Sequence, residues 1–304
     1  MPRSYRYLHY DVFTARRFGG NQLAVFLDGR GLTGADMQAI AKEMNFSEST
    51  FVLPPDDPGT DMRVRIFTPG AELPMAGHPT IGTAFALARA GVLGPADAGV
   101  RFGLGVGPIP VDLTWRGDDL AFAWMTQPNP TFGPTQDVAD LAGAAVRLPG
   151  AAIRATALPV QRVSCGVPYL MIPVASRREV DAAVVDSAAF ERLAAATDLD
   201  ANGLYLFTLE SAADDATVYS RMFAPGIGIL EDPATGSAAG PLGCYLVAHE
   251  VISAAKAATI VNLQGVQMGR PSVIHMAIAA DGGSIHRVRV GGEAVLAGEG
   301  TLYV

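Results

Sequence analysis

Glu48 lies in the stretch Asn45-Phe46-Ser47-Glu48-Ser49-Thr50-Phe51, at a turn between a helical pattern and an apolar run. Phe46 and Phe51 flank it, and no Lys or Arg adjoins it in sequence. An apolar setting raises a carboxyl above its reference pKa of about 4.3, toward the range where proton transfer works near neutral pH. Glu48 is therefore a candidate acid/base, and a solvated turn carboxylate is the plainer alternative. Two small-residue loops add a second kind of chemistry. His78-Pro79-Thr80-Ile81-Gly82-Thr83 opens one apolar helical segment, and Asp232-Pro233-Ala234-Thr235-Gly236-Ser237 opens another. The first turn of a helix leaves N–H groups unpaired and carries partial positive charge, so small residues there let an anion approach the backbone. Two such starts, from related lobes facing each other, would make a carboxylate-sized pocket. The alternative is that Thr80, Thr235 and Ser237 are ordinary N-caps. His78 is either structural or ligand-facing, and Asp232 either caps its helix or meets a ligand.

Stepping from residues to elements, the chain repeats itself once. Arg65-Ile66-Phe67-Thr68-Pro69-Gly70 returns as Arg221-Met222-Phe223-Ala224-Pro225-Gly226, 156 residues later. Gly82-Thr83-Ala84 returns as Gly236-Ser237-Ala238, 154 residues later. The helical pattern Thr33 to Met44 leads into Phe51-Val52-Leu53, as Ser187 to Ala196 leads into Tyr205-Leu206-Phe207. Gly20-Asn21-Gln22 before Leu23 to Leu27 is matched by Gly166-Val167-Pro168 before Tyr169 to Ile172. Each half then reads strand, Gly turn, strand, helix, strand, Arg-x-Phe strand, Pro-Gly turn and Gly-rich loop into a helix. The helical segments Thr80 to Ala90 and Ser237 to Ala248 are apolar almost all round, which marks buried helices. Pro241 is expected to kink the second or delay its start. The predicted class is α+β: two pseudo-symmetric lobes, each a curved, barrel-like mixed sheet around a central helix. Pro128, Pro130 and Pro134 mark the boundary between lobes, and Arg287 to Val304 reads as hairpin strands around Gly291-Gly292. At an offset of 154 the counterpart of Glu48 is Asn202, a neutral amide, which points to a single acid/base.

Composition narrows the partners. The chain has 30 acidic and 22 basic residues, a formal net charge of −8, and no run of Lys or Arg, so nucleic acid and anionic membrane are poor partners. No 18-residue uncharged apolar segment and no secretory signal are present, so the default is a soluble cytoplasmic protein. Cys165 and Cys244 are too few for a disulfide framework or a Cys-based metal site, and read as buried, inert thiols. No Gly-x-Gly-x-x-Gly leads from strand to helix, and there is no phosphate loop, no His-Glu-x-x-His and no cluster with metal-ligand spacing. Gly103-Leu104-Gly105-Val106-Gly107 runs into Pro108 and Pro110 and cannot open a dinucleotide-binding helix. The expected chemistry uses no cofactor and no metal.

Five motifs together carry a family resemblance. They are Asp11-Val12-Phe13-Thr14, Gly20-Asn21 with Ala24-Val25, Asn45 to Thr50, Glu72 to Thr80 (ELPMAGHPT), and Glu231 to Ala238 (EDPATGSA). Over almost its whole length the chain resembles the PhzF (phenazine biosynthesis-like) family, with its diaminopimelate-epimerase-like fold. The resemblance implies a first lobe of residues 1–126, to which 291–304 return, and a second lobe of 127–290, with the site in the cleft. It implies a cofactor-independent isomerase like trans-2,3-dihydro-3-hydroxyanthranilate isomerase, in which Glu48 moves a proton, His78 and Asp232 orient substrate and proton, and Ser237 lies near the substrate. Asn21, Gly77, Thr80 and Gly236 join Ser237 as substrate-binding positions, the substrate is a small carboxylate, and the assembly is a homodimer. The related epimerases and racemases use a cysteine in each lobe, where this chain has Ala76 and Pro233, so two-thiol racemisation is not expected. Gln22 replaces a proline common in the family. An amino-acid epimerase or dehydratase on the same scaffold, or a non-catalytic binding protein that kept the cleft, remain the alternatives.

Overall fold

Alternating and fully apolar runs become strands, and small-residue segments between them become helices. In the computed structural model, which describes residues 3–197, 203–210, 212, 214–253 and 255–304, the chain divides into two compact units. Unit 1 comprises Met1–Thr126 with Val290–Val304, and unit 2 comprises Gln127–Arg289. The elements that begin the chain are β1 (Ser4–Val12), β2 (Asn21–Phe26), α1 (Gly34–Met44), β3 (Glu48–Leu53), β4 (Met62–Phe67), β5 (Glu72–Leu73), α2 (Gly77–Arg89), β6 (Gly99–Leu104), β7 (Gly107–Arg116) and β8 (Asp119–Gln127). Next come β9 (Thr131–Gln136), α3 (Ala139–Ala145), α4 (Gly150–Arg154), β10 (Val160–Ser164), β11 (Pro168–Pro173), α5 (Arg177–Ala182), α6 (Ser187–Thr197), β12 (Leu204–Thr208) and β13 (Val218–Ala224). After a 3-10 turn at Pro225–Ile227 follow β14 (Ile229–Asp232), α7 (Gly236–Ala248), β15 (Ile260–Gln264), β16 (Ser272–Asp281), β17 (Ser284–Gly292) and β18 (Ala294–Tyr303).

The two units use one pairing scheme. In unit 1, β1 and β2 are antiparallel, β2 and β3 parallel, β3 and β4 antiparallel, and β4 then takes β5 antiparallel and β6 parallel. In unit 2, β10 and β11 are antiparallel, β11 and β12 parallel, β12 and β13 antiparallel, and β13 takes β14 antiparallel and β15 parallel. Each crossover between parallel strands carries helix: α1 joins β2 to β3, and α5 with α6 joins β11 to β12. A helix per unit is buried almost entirely. Residues Gly77 to Leu87 of α2 and Gly236 to Leu246 of α7 are all buried, as all-round apolarity requires. In unit 1, α2 packs on β1, β2, β3 and β18; in unit 2, α7 packs on β10, β11 and β16. Glycines permit that approach. A Cβ on Gly82 would meet Leu23 Cδ2 at 2.6 Å, and one on Gly243 would meet Ile278 Cδ1 at 2.9 Å.

Local signals set the helix that precedes Glu48. Thr33 and Asp36 form a capping box at the start of α1, and Asn45 closes it in the left-handed region with φ 52°. The chain then re-enters the sheet at Glu48. Behind α1, Phe26 stacks on Phe51 with centroids 4.8 Å apart, and Phe67 meets Phe51 edge-on at 5.7 Å.

Three expectations need correction. Both Gly291 and Gly292 lie inside β17 and form no hairpin turn; β18 instead runs antiparallel to β1, from Ser4 opposite Tyr303 to Val12 opposite Ala294. Pro241 does not delay α7, which starts at Gly236, because Ala239 N–H already donates to Thr235 C=O upstream of it. The helices also start 159 residues apart, Gly77 matching Gly236, so Gly82-Thr83-Ala84 lies more than a turn inside α2. The proposed counterpart of Glu48, Asn202, lies outside the described residues.

Candidate active site

In unit 1 the helix start of α2 meets the first residue of β3. β3 pairs with β2 so that Glu48 lies opposite Leu23, two residues on from Asn21. His78, the second residue of α2, places Nε2 3.1 Å from Glu48 Oε2, with both side chains less than a tenth exposed. The nitrogen is not aligned for an N–H···O hydrogen bond at that distance. Burial pushes the His78 pKa down to about 3, against a smaller upward pull from the Gln22 backbone. The contact is thus a neutral imidazole against a carboxyl group rather than an ion pair. Asn21 is 1% exposed, and its Nδ2 lies 3.1 Å from His78 Nδ1. The Asn21 amide thus stands against Nδ1 while Nε2 faces Glu48, so the two ring nitrogens meet different groups. Asn21 therefore touches His78 directly, a role its sequence position did not reveal.

The rest of that helix entry is backbone and small side chains. Gly77 is buried at the first helical position, after Ala76 as N-cap. Thr80 is not a cap: it is fully buried, and its hydroxyl donates to Ala76 C=O at 2.7 Å. Thr83 donates likewise to Pro79 C=O at 2.7 Å and lies 3.0 Å from the Thr50 hydroxyl.

In unit 2 the helix start of α7 is built from different groups. Asp232 ends β14 and is 5% exposed, and the Thr235 hydroxyl donates to its Oδ2 at 2.6 Å. Thr235 holds the N-cap position of α7, yet its side chain serves Asp232 and makes no cap bond. Ser237, the second residue of α7, is buried with its Oγ 2.7 Å from the Tyr169 hydroxyl. Gly236 C=O accepts from Gln127 Nε2 at 2.9 Å. Gln264, fully buried at the end of β15, bonds both Asp232 and Thr235. Sequence reading missed Tyr169 and Gln264, because nothing in a strand-end Tyr or Gln marks its partner 68 or 29 residues away. So Asn21, Glu48, Gly77 and His78 come together in unit 1, and Asp232, Gly236 and Ser237 in unit 2.

Cys165 and Cys244 are buried with their sulfurs 3.8 Å apart, and hydrogen bonding to Cys244 together with burial pushes the Cys165 thiol well up. Among the described residues no group of three His, Cys, Asp or Glu has metal-binding geometry, and no helix is long and apolar enough to cross a membrane.

Comparison with known proteins adds kinship to this geometry. The family model described as phenazine biosynthesis-like protein matches residues 10–300. An uncharacterized isomerase of Mesorhizobium japonicum is 39% identical, with 98% of each chain covered. Trans-2,3-dihydro-3-hydroxyanthranilate isomerase of Pseudomonas aeruginosa is 35% identical over 99% of this chain and 100% of the relative. A crystal structure of a PhzF-family phenazine biosynthesis protein from Bacillus anthracis superposes with a TM-score of 0.85 at 24% identity, covering 99% of this chain and 100% of that one, which establishes the shared α+β fold.

Proposed function

Because the chain belongs to the phenazine biosynthesis-like family and is an isomerase by that kinship, we propose that Glu48 is the acid/base that moves a proton within a small carboxylate-bearing substrate. The observation that carries this reading is the buried Glu48–His78 contact of 3.1 Å, with Asn21 behind the ring. Glu48 takes the proton from one carbon and returns it to another position of the same molecule, so substrate and product have equal composition. His78, neutral, packs its Nε2 against the carboxyl group and keeps it in a buried setting. Asp232 accepts a hydrogen bond from a donor on the substrate, and Ser237 with the N–H group of Gly236 binds its carboxylate, while Asn21, Gly77 and Thr80 are the substrate-binding positions beside Glu48. Every role in this scheme is filled by a side chain or a backbone N–H, so it calls for no metal and no organic cofactor. The substrate named for the Pseudomonas aeruginosa relative, trans-2,3-dihydro-3-hydroxyanthranilate, is the first compound to test. The homodimer implied by resemblance belongs to the same reading and is checked by sedimentation.

Glu48→Gln keeps the shape of the side chain but cannot accept the proton. Incubated with that compound in heavy water, the native chain should place deuterium in product or recovered substrate. Glu48→Gln should lose at least the roughly 10²–10⁴-fold that a positioned general base contributes, with its thermal unfolding midpoint unchanged. Full exchange by Glu48→Gln would overturn the assignment.

A further inference from the structure

The hydrogen bonds around Asp232 have a direction that two backbone groups dictate. A carbonyl can only accept, so the Gln264 atom 2.8 Å from Asp232 C=O is its NH2 group. An amide N–H can only donate, so the Gln264 atom 3.2 Å from Thr235 N is its oxygen. The two anchors agree and fix the side-chain amide. Its NH2 group, having no lone pair to offer, also donates to Thr235 Oγ1 at 3.0 Å. The single Thr235 hydroxyl proton is then left for Asp232 Oδ2, 2.6 Å away. On the far side, the Tyr205 hydroxyl donates to Gln264 Oε1 at 2.8 Å, while it accepts from Asn262 Nδ2 at 2.9 Å and Ser220 Oγ at 3.2 Å. Gln264 thereby uses both its hydrogens and both its lone pairs in a site with no exposure.

We propose that Gln264 is a positioning residue of the reaction, which forces the Thr235 hydroxyl to donate to Asp232 and so holds Asp232 as an acceptor-only carboxylate for the substrate. The proposal rests on the role given to Asp232 above. Every member of the relay is buried and none has a spare proton to send the other way. A buried side chain as fully satisfied as Gln264 is held in one orientation, and its cost is recovered only when its partners stay in place.

The test uses the full chain with Gln264→Glu, Thr235→Val and Thr235→Ser. Aspartate carboxylates labelled with carbon-13 are followed by infrared spectroscopy, the Asp232 band being identified by its loss in Asp232→Asn. Thr235→Val removes the donor, and Gln264→Glu draws the Thr235 proton to the new carboxylate; both should shift that band, while Thr235→Ser should leave it in place. With trans-2,3-dihydro-3-hydroxyanthranilate as substrate, the two shifting variants should lose up to about 100-fold in turnover, the scale of a misplaced reacting group, and Thr235→Ser should restore it. An Asp232 band that stays fixed in Thr235→Val and Gln264→Glu overturns the relay, whatever the activity. A shifted band alongside full turnover by Asp232→Asn leaves the relay standing, but refutes the role assigned to Asp232 and with it the functional part of this proposal.

Discussion

His78 and Ser237 hold the same position, the second residue of two buried helices of equal length. In unit 1 that position meets a carboxyl group, Glu48; in unit 2 it meets a phenol, Tyr169. Around Asp232 the fixed donors are a hydroxyl and amides. The strands that carry these groups pair identically in both units. A duplicated scaffold thus preserves where a side chain starts and leaves free what it does. Unit 1 keeps a titratable pair, Glu48 with His78, and unit 2 keeps a directed hydrogen-bond network around Asp232. The same divergence appears in the Arg-x-Phe strands. Arg65 grips Glu72 through two bonds of 2.7 and 2.6 Å, with the glutamate side chain 41% exposed. Arg221 grips Glu231 through two bonds of 2.8 Å, with 8% and 16% side-chain exposure, and adds bonds to Val180, Asp181 and Ala183 C=O at the end of α5.

The sharpest way to break this contrast is to exchange the active groups. Glu48→Gln should abolish deuterium transfer by the 10²–10⁴-fold noted above, whereas Ser237→Ala should weaken substrate binding while retaining transfer at saturation, as removal of a uniform binding contact does. Steady-state kinetics separates the two; equal losses of kcat would erase the distinction between a proton-moving unit and a holding unit. Next in size is the arginine pair. Arg221→Met strands a partly buried Glu231 and the Val180, Asp181 and Ala183 carbonyls, and should destabilise by about 3 kcal/mol. Arg65→Met breaks a half-exposed pair and should cost no more than about 1 kcal/mol. Urea titration of both variants measures the difference, and similar midpoints would show that burial does not separate the two pairs.

A smaller effect tests how closely the helices are pressed to their strands. A Cβ on Gly240 would lie 1.9 Å from Gln127 Oε1, and Gln127 also holds Gly236 C=O. A Cβ on Gly82 would touch only the apolar tips of Leu23 and Val12 within 3 Å. Each Gly→Ala change should cost about 1–3 kcal/mol from overpacking, and Gly240→Ala alone should also raise KM by displacing Gln127 from the helix start.

The pH dependence of stability is the finest probe. The folded pKa of His78, about 3, lies below its ordinary value of 6.5. Between those values the unfolded chain binds a proton that the folded chain refuses. The contribution of a buried neutral His78 is therefore complete above pH 6.5 and is lost as the pH falls toward 3. Denaturation at pH 7 and pH 4.5 should show a larger loss for the native chain than for His78→Gln, and equal losses would argue that the ring is not buried neutral.

Much of the frame was readable in the sequence because each clue was local. The capping box of α1, the Arg-x-Phe strands and the all-round apolar helices need only near neighbours to be recognised. Glu48 and His78 stood out through their motifs, and the pair proves to be in contact. What escaped reading depends on the sheet. Asn21 reaches His78 because β2 delivers it there, and Gln264 reaches Thr235 from the end of a different strand. Gly291-Gly292 looked like a hairpin turn because doubled glycine usually is one. Here Gly291 instead lets its strand lie within 2.6 Å, at the Cβ position, of Ala123 C=O. The N-cap reading of Thr80 failed for a simple reason: α2 begins three residues earlier, so the hydroxyl falls where it bonds back to the helix.

The pairing of β1 with β18 bears on how the molecule is made. The strand that completes the outer edge of β1 leaves the ribosome some 290 residues after it, which at about 5–20 residues per second is a wait of roughly 15–60 s. The unit carrying Asp232 is one uninterrupted stretch and can assemble during that interval. The unit carrying Glu48 must wait with an open strand edge, the kind of surface on which nascent chains aggregate. Glu48 is made early, and its unit is finished last.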